Sequence, residues 1–243
     1  MEQDPIVVTY KLSLPSGDTC TYELKFEPER FELLHDEGDL PEWTRMDYQQ
    51  CVHCPLRAED VPVCPLARGI SALVDFSAEL PSYHAMSVEV VTAERTYQME
   101  TTAQRALSSI MGLIIPASGC PYTECLRPLA RFHVPNASQE ETLARVISFY
   151  MLSLHLVGRK DEVQKPADFE KLKRIYDDLH TINRHMADRL KNVCGKDSTL
   201  NAIVILDTFT MFLPMEIDDS LRQIKSLLEP MMIKLDALPE DET

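Results

Sequence analysis

Cys51, Cys54 and Cys64 fall within fourteen residues, and Cys120 and Cys125 follow far downstream. The Cys51-x2-Cys54 pair has the spacing of a metal knuckle, in which a tight turn lets two sulfurs converge on one ion. Cys64 supplies a third sulfur, and a fourth ligand from Cys120, Cys125 or His53 completes a tetrahedral site. Cys54, Cys64 and Cys120 are each followed by proline. Proline opening a helix leaves free N–H groups and the positive dipole end facing the preceding residue, where thiolate is favoured. Zinc is the metal this pattern predicts. An iron–sulfur cluster is the alternative, although the C-x2-C-x2-C and C-x4-C-x2-C runs of ferredoxins are absent. Cys20 and Cys194 stand apart and read as small buried thiols.

Other residues offer competing chemistry. In Cys51-Val52-His53-Cys54 a histidine between the cysteines would lower a thiol pKa, as in a thiol-based redox enzyme. Such motifs follow a strand and open a helix. Here Trp43 to Gln50 has no strand character and Pro55 follows the pair directly. Cys120 with His133 is a nucleophile–base combination. Arg127, Arg131, His133 and Ser118 form a small cationic set suited to an anion. Glu32-x-x-His35 and Asp177-x-x-His180 have the spacing of bundle metal ligands but read as solvated helix faces. The seven glycines include none in G-x-G-x-x-G or G-x-x-x-x-G-K spacing, which excludes both glycine-rich phosphate cradles.

The charge excludes further classes. Lys plus Arg is 24 against 39 Asp plus Glu, a net charge of −15. A phosphate-backbone binder carries a basic surplus, so no nucleic-acid partner is expected. Acidic character also disfavours an anionic membrane surface. The two longest apolar stretches, 146–157 and 202–213, are broken by Ser148, Ser153, His155, Asp207 and Thr210 and are shorter than the roughly 20 residues that cross a bilayer. The N-terminus is acidic and alternating, unlike a secretory signal. A cytoplasmic protein with reduced thiols follows.

The elements that must position the cysteines are legible in the periodicity. Val8, Tyr10, Leu12 and Leu14 alternate, as do Cys20, Tyr22, Leu24 and Phe26, around Pro15-Ser16-Gly17-Asp18: a β-hairpin. Met86, Val88 and Val90 with Tyr97 and Met99 predict a second hairpin around Ala93-Glu94-Arg95. Cys64 caps a helix begun by Pro65, with Leu66, Ile70, Leu73 and Phe76 on its apolar stripe, and Pro81 ends it. Thr101 with Gln104 reads as a capping box for a helix that Pro116 stops. Ser138 with Glu141 caps a helix to about Val157. Pro166 opens a helix striped by Phe169, Leu172, Ile175, Leu179, Ile182, Met186 and Leu190, with Gly195 as its stop. Asp197 or Ser198 caps another that Pro214 ends, and a last helix runs from about Asp218 to Lys234, bent at Pro230.

In their order along the chain, Pro41-x-Trp43-Thr44, Gln50-Cys51-x-x-Cys54-Pro55-Leu56, Cys64-Pro65, Glu94-Arg95-Thr96-Tyr97, Thr102-Ala103-Gln104, Ser118-Gly119-Cys120-Pro121 and Ala130-Arg131-Phe132-His133 resemble an uncharacterised bacterial family of unknown function. The resemblance covers nearly the whole chain. It implies a bacterial cytosolic protein. It matches the Cys-Pro steps at Cys54, Cys64 and Cys120 but has no cysteine at the position of Cys125, which selects Cys120 as the fourth ligand. The expected protein is α+β: two hairpins and helices around a cysteine knuckle in residues 1–135, then a mainly helical region over 136–243, either separate from the first or continuous with it as one domain. The expected function is a metal-stabilised, non-enzymatic binding or scaffold protein that engages a protein partner or a second copy of itself.

Overall fold

The computed structural model describes residues 3–35, 38–78, 80, 82–158, 169–191, 193 and 198–238. Two hairpins form, β1 (Ile6–Ser13) with β2 (Thr19–Phe26) and β3 (Ala85–Val91) with β4 (Thr96–Thr102). Antiparallel pairing of β1 with β3 joins them into one sheet of order β2-β1-β3-β4. In the first turn Gly17 takes φ +94°, a left-handed conformation that costs glycine nothing, and its N–H donates to Leu14 O. Alternation decides which face is dry: Tyr10, Leu12, Leu24, Phe26, Val88 and Val90 are buried, while Lys11 pairs with Glu89 and Lys25 with Glu23 on the other face.

Two helices cover the dry face. In α1 (Pro65–Phe76) Cys64 is the N-cap and Pro65 the first residue. Leu66, Ile70, Leu73 and Val74 are buried, each stabilising the fold by about 1.5–3 kcal/mol. α2 (Ala103–Ala117) is the central helix, and nearly every side chain along it is buried. Gly69 lets α1 approach it closely, since a Cβ there would stand 3.0 Å from Ile114 Cγ2 and 3.4 Å from Ser118 Cβ.

Two local expectations fail at α2. Thr101 does not cap it. Thr101 pairs with Met86 in the β3–β4 ladder, Thr102 occupies the N-cap without a side-chain hydrogen bond, and Gln104 N–H donates to Ser82 O. Pro116 does not stop the helix, which runs on through Ala117. A proline in the last turn removes one backbone hydrogen bond while its neighbours stay helical.

A short helix α3 (Arg127–Arg131) leads into α4 (Gln139–Gly158), α5 (Glu170–Lys191) and α6 (Ser198–Asp236). The capping box of α4 forms as expected: Ser138 N–H donates to Glu141 Oε2 at 2.7 Å, and Glu141 N–H donates to Ser138 Oγ at 3.1 Å. Leu172, Leu179, Ile182, Met186 and Leu190 of the α5 stripe are buried, with Tyr176 beside them. Pro166 and Gly195 lie outside the described residues. The two helices expected after residue 197 are one, spanning Pro214 and Pro230 without a break. At about 1.5 Å per residue this 39-residue helix is nearly 60 Å long. Its first half packs on α2, α4 and α5, and that packing offsets the hydrogen bond Pro214 forfeits. One apolar cluster joins the sheet, α1 and α2 to Ile182, Met186 and Leu190 of α5 and Ala202 and Ile203 of α6. A second, around Leu143, Val146, Tyr176, Leu213 and Ile217, ties α4 to α5 and α6.

Candidate cysteine site

The loop before α1 folds back on itself. Arg45 and Val63 form an isolated bridge, Met46 N–H donates to Pro62 O at 2.8 Å, and Cys64 N–H donates to Thr44 O at 2.8 Å. Between these arms the knuckle turns: Cys54 N–H donates to Cys51 O at 3.0 Å, and Gln50 Nε2 donates to Leu56 O at 2.8 Å. The backbone thus brings Cys51 and Cys54 to one tight turn and returns Cys64 to the start of α1.

Cys120 arrives from the end of α2. Gly119, at φ +86°, turns the chain back over the N-terminus of α1, and a Cβ on it would lie 3.8 Å from Pro65 Cβ. The turn is pinned beneath by Thr123, fully buried, whose hydroxyl donates to Ile115 O at 2.8 Å. Ser118 Oγ donates to the same carbonyl. A helix C-terminus leaves such carbonyls without N–H partners, and here side chains of the following loop supply them. Tyr122 reaches across to the knuckle and donates its hydroxyl to His53 O at 2.6 Å.

The four thiols that the sequence selects lie in one region, where Cys51 feels the other three electrostatically. Burial is the first cause that raises the Cys51 pKa to about 11, and Cys64, Cys120 and Cys54 each add to it. Arg189 acts in the opposite sense. Burial likewise raises the Cys120 thiol, and Cys64 adds to that rise. Cys51, Cys54, Cys64 and Cys120 are all free and partly buried. They are neighbours and not a closed cage: among the described residues no three His, Cys, Asp or Glu side chains stand in an arrangement that would hold a metal ion. The donor types fit zinc, and the burial disfavours four lone thiolates, so charge on these sulfurs needs a cation beside it.

The other candidates separate from this cluster. Cys125 is exposed, its Sγ 3.6 Å from Tyr122 O, and it is not among the thiols acting on Cys51 or Cys120. His53 offers its backbone carbonyl and exposes its side chain. Cys20 lies on β2 with its thiol 3.7 Å from Leu12 O, and Cys194 lies outside the described residues. His133 belongs to a different network: its Nε2 is 3.0 Å from Ser109 Oγ and 3.2 Å from Tyr10 Oη. His180 pairs at 2.7 Å with Asp207 across α5 and α6, not with Asp177.

Arg189 is a functional residue that sequence reasoning missed. It is 2% exposed. One terminal nitrogen donates to Trp43 O at 2.7 Å and Arg45 O at 2.8 Å, and the guanidinium lies over the Tyr48 ring. It ties α5 to the first arm of the cysteine loop and places a positive charge near Cys51. Its signal was present: Ile182, Met186 and Arg189 fall on one helical stripe, where a charged residue has to find buried partners.

A family model described as "Domain of unknown function (DUF6901)" matches residues 8–229. No curated protein and no solved structure matches the chain. Among the described residues no helix is long and apolar enough to cross a membrane.

Proposed function

Because the chain belongs to DUF6901, a family whose function is unknown, we propose its function from its own residues: a non-enzymatic, cytoplasmic binding protein whose fold is stapled by Zn2+ on Cys51, Cys54, Cys64 and Cys120. One observation carries this reading. The backbone puts Cys51 and Cys54 on one tight turn, returns Cys64 to the start of α1, and lays the segment that carries Cys120, more than fifty residues beyond Cys64, over Pro65. Closing these neighbouring sulfurs on one ion is the step the proposal adds. A thiol-based or iron–sulfur redox protein is the alternative. The buried, raised Cys51 disfavours thiol chemistry, since a reactive cysteine needs a lowered pKa.

Metal binding in such a site is folding free energy, on the order of 10 kcal/mol for structural zinc. Protein purified without air should carry one zinc per chain and be colourless. Cys54→Ser, Cys64→Ser and chelation of the wild type should each lower the melting temperature sharply, while Cys20→Ser has a small effect. Melting curves unmoved by all three changes would refute the site. Brown protein carrying iron would replace zinc by the cluster.

The binding surface we propose for a second copy of the chain is the distal half of α6. Leu228, Met231 and Leu235 are exposed there at spacings of three and four. That is the seam of a coiled coil. Lys225, Glu229, Lys234 and Asp236 balance in charge over this stretch, so a chain of net charge −15 can meet its own copy there without local repulsion.

A further inference from the structure

A cavity of about 850 Å³ opens between α2, the turn after α3, α4, α5 and α6. Pockets of roughly 300–1,000 Å³ hold small organic ligands. Its walls are largely aliphatic, including Ile115, Leu129, Leu179, Ile205 and Leu206. Polar groups interrupt these walls, Arg105, Glu141, Asn183 and Thr210 among them, and Ser109, His133 and Arg145 face the cavity as well.

Arg145 is the unusual member. One terminal nitrogen donates to Leu129 O at 2.6 Å, while its Nε is buried and has no hydrogen-bond partner. The Nε is closed off from the cavity, so a ligand meets Arg145 through the rest of its guanidinium, and a carboxylate is the group that matches it in charge and plane. Glu141, which acts on Arg145 electrostatically, already holds the Ser138 N–H in the capping box. Burial first, then Arg145, lowers the His133 pKa to about 3, so the imidazole adds no second positive charge. Arg105 and Arg145 against Glu141 therefore leave the lining one net positive charge, enough for a single negative charge.

We propose that this cavity binds a small aliphatic monocarboxylate, its carboxylate at Arg145 and its chain along the Ile115, Leu129, Leu179 and Leu206 wall. The inference rests on the reading as a binding protein and names what is bound. It does not depend on the metal. Nothing in the cysteine cluster lines the cavity.

Isothermal titration calorimetry on the full chain, with decanoate, decan-1-ol and acetate as probes, tests it. Decanoate should bind one per chain. Decanol, which lacks the charge, and acetate, which lacks the body, should each bind at least about tenfold more weakly, the range expected for a hydrogen bond to a charged group. Arg145→Met should weaken decanoate by about the same factor, and Leu206→Trp, which fills the cavity and leaves Arg145 in place, should abolish binding. If Arg145→Met fails to fold, the wild-type order of the three probes and the Leu206→Trp result decide. No decanoate binding, or equal affinity for decanoate and decanol, overturns the inference. Should decanoate fail while chelation still melts the protein, the ligand is wrong and the metal-stapled fold stands. Should chelation do nothing while decanoate binds, the metal is wrong and the ligand stands.

Discussion

Acidification should destabilise this protein through His133 before any carboxylate of the core is protonated. The ring is partly covered, its Nε2 is held by Ser109 and Tyr10, and burial with the nearby Arg145 lowers its pKa to about 3. In the unfolded chain it titrates near 6.5. Between those values the unfolded state binds a proton that the native state does not, so stability falls as pH falls, by about 1.4 kcal/mol per pH unit. From pH 7.5 to pH 5 only the interval below 6.5 contributes, which is about 1.5 units and about 2 kcal/mol. Solvent reaches part of the ring, so this is an upper value. Urea unfolding of the wild type and His133→Gln at both pH values isolates the effect, because the other six histidines are common to both proteins. The stability difference between them should shrink by up to 2 kcal/mol on acidification. A difference independent of pH, or an imidazole carbon resonance of His133 titrating near 6.5, refutes the reasoning.

Arg189→Met removes the charged donor to two buried carbonyls, Trp43 O and Arg45 O, and should cost about 3–5 kcal/mol in urea unfolding; a loss under about 1 kcal/mol would mean the cysteine loop does not depend on α5. Met231→Glu combined with Leu235→Glu should turn a dimer into a monomer in sedimentation equilibrium with no loss of helix. A monomeric wild type at micromolar concentration rejects α6 as the self-association face.

Much of this architecture follows from short-range pattern. Both hairpins come from alternation, and α1 starts where Cys64-Pro65 says it must. Ser138 and Glu141 form their box because nothing else competes for them. Thr101 and Gln104 carry the same signature and do not, because the ladder to Met86 claims Thr101 first. Long-range pairing overrides a local cap there, as tertiary packing overrides the breaker rule at Pro214. At the site, the Cys51–Cys54 turn and the helix start after Cys64 follow from spacing, whereas Cys120 comes from the resemblance, since no local rule joins it to that loop. Arg189, Arg145 and the Tyr10–Ser109–His133 contacts are not legible in spacing. Tyr10 and His133 lie 123 residues apart, and no local rule joins a strand residue to a loop residue that far away.

The two sites share a mechanical problem. A cavity near 850 Å³ forfeits the dispersion contacts that close packing of α2, α5 and α6 would provide, so those helices need restraints outside the cavity to stay apart. The sheet holds one side of α2. The cysteine loop holds the other end: Gly119 on Pro65 fixes where α2 stops, and Arg189 fixes where α5 lies relative to Trp43 and Arg45. Asn183 and Tyr176, which line the cavity, stand on α5 within four turns of Arg189. A staple at the cluster would therefore set the spacing of the cavity's walls without touching its contents. That gives the proposed four-cysteine staple a physical use beyond holding its own loop.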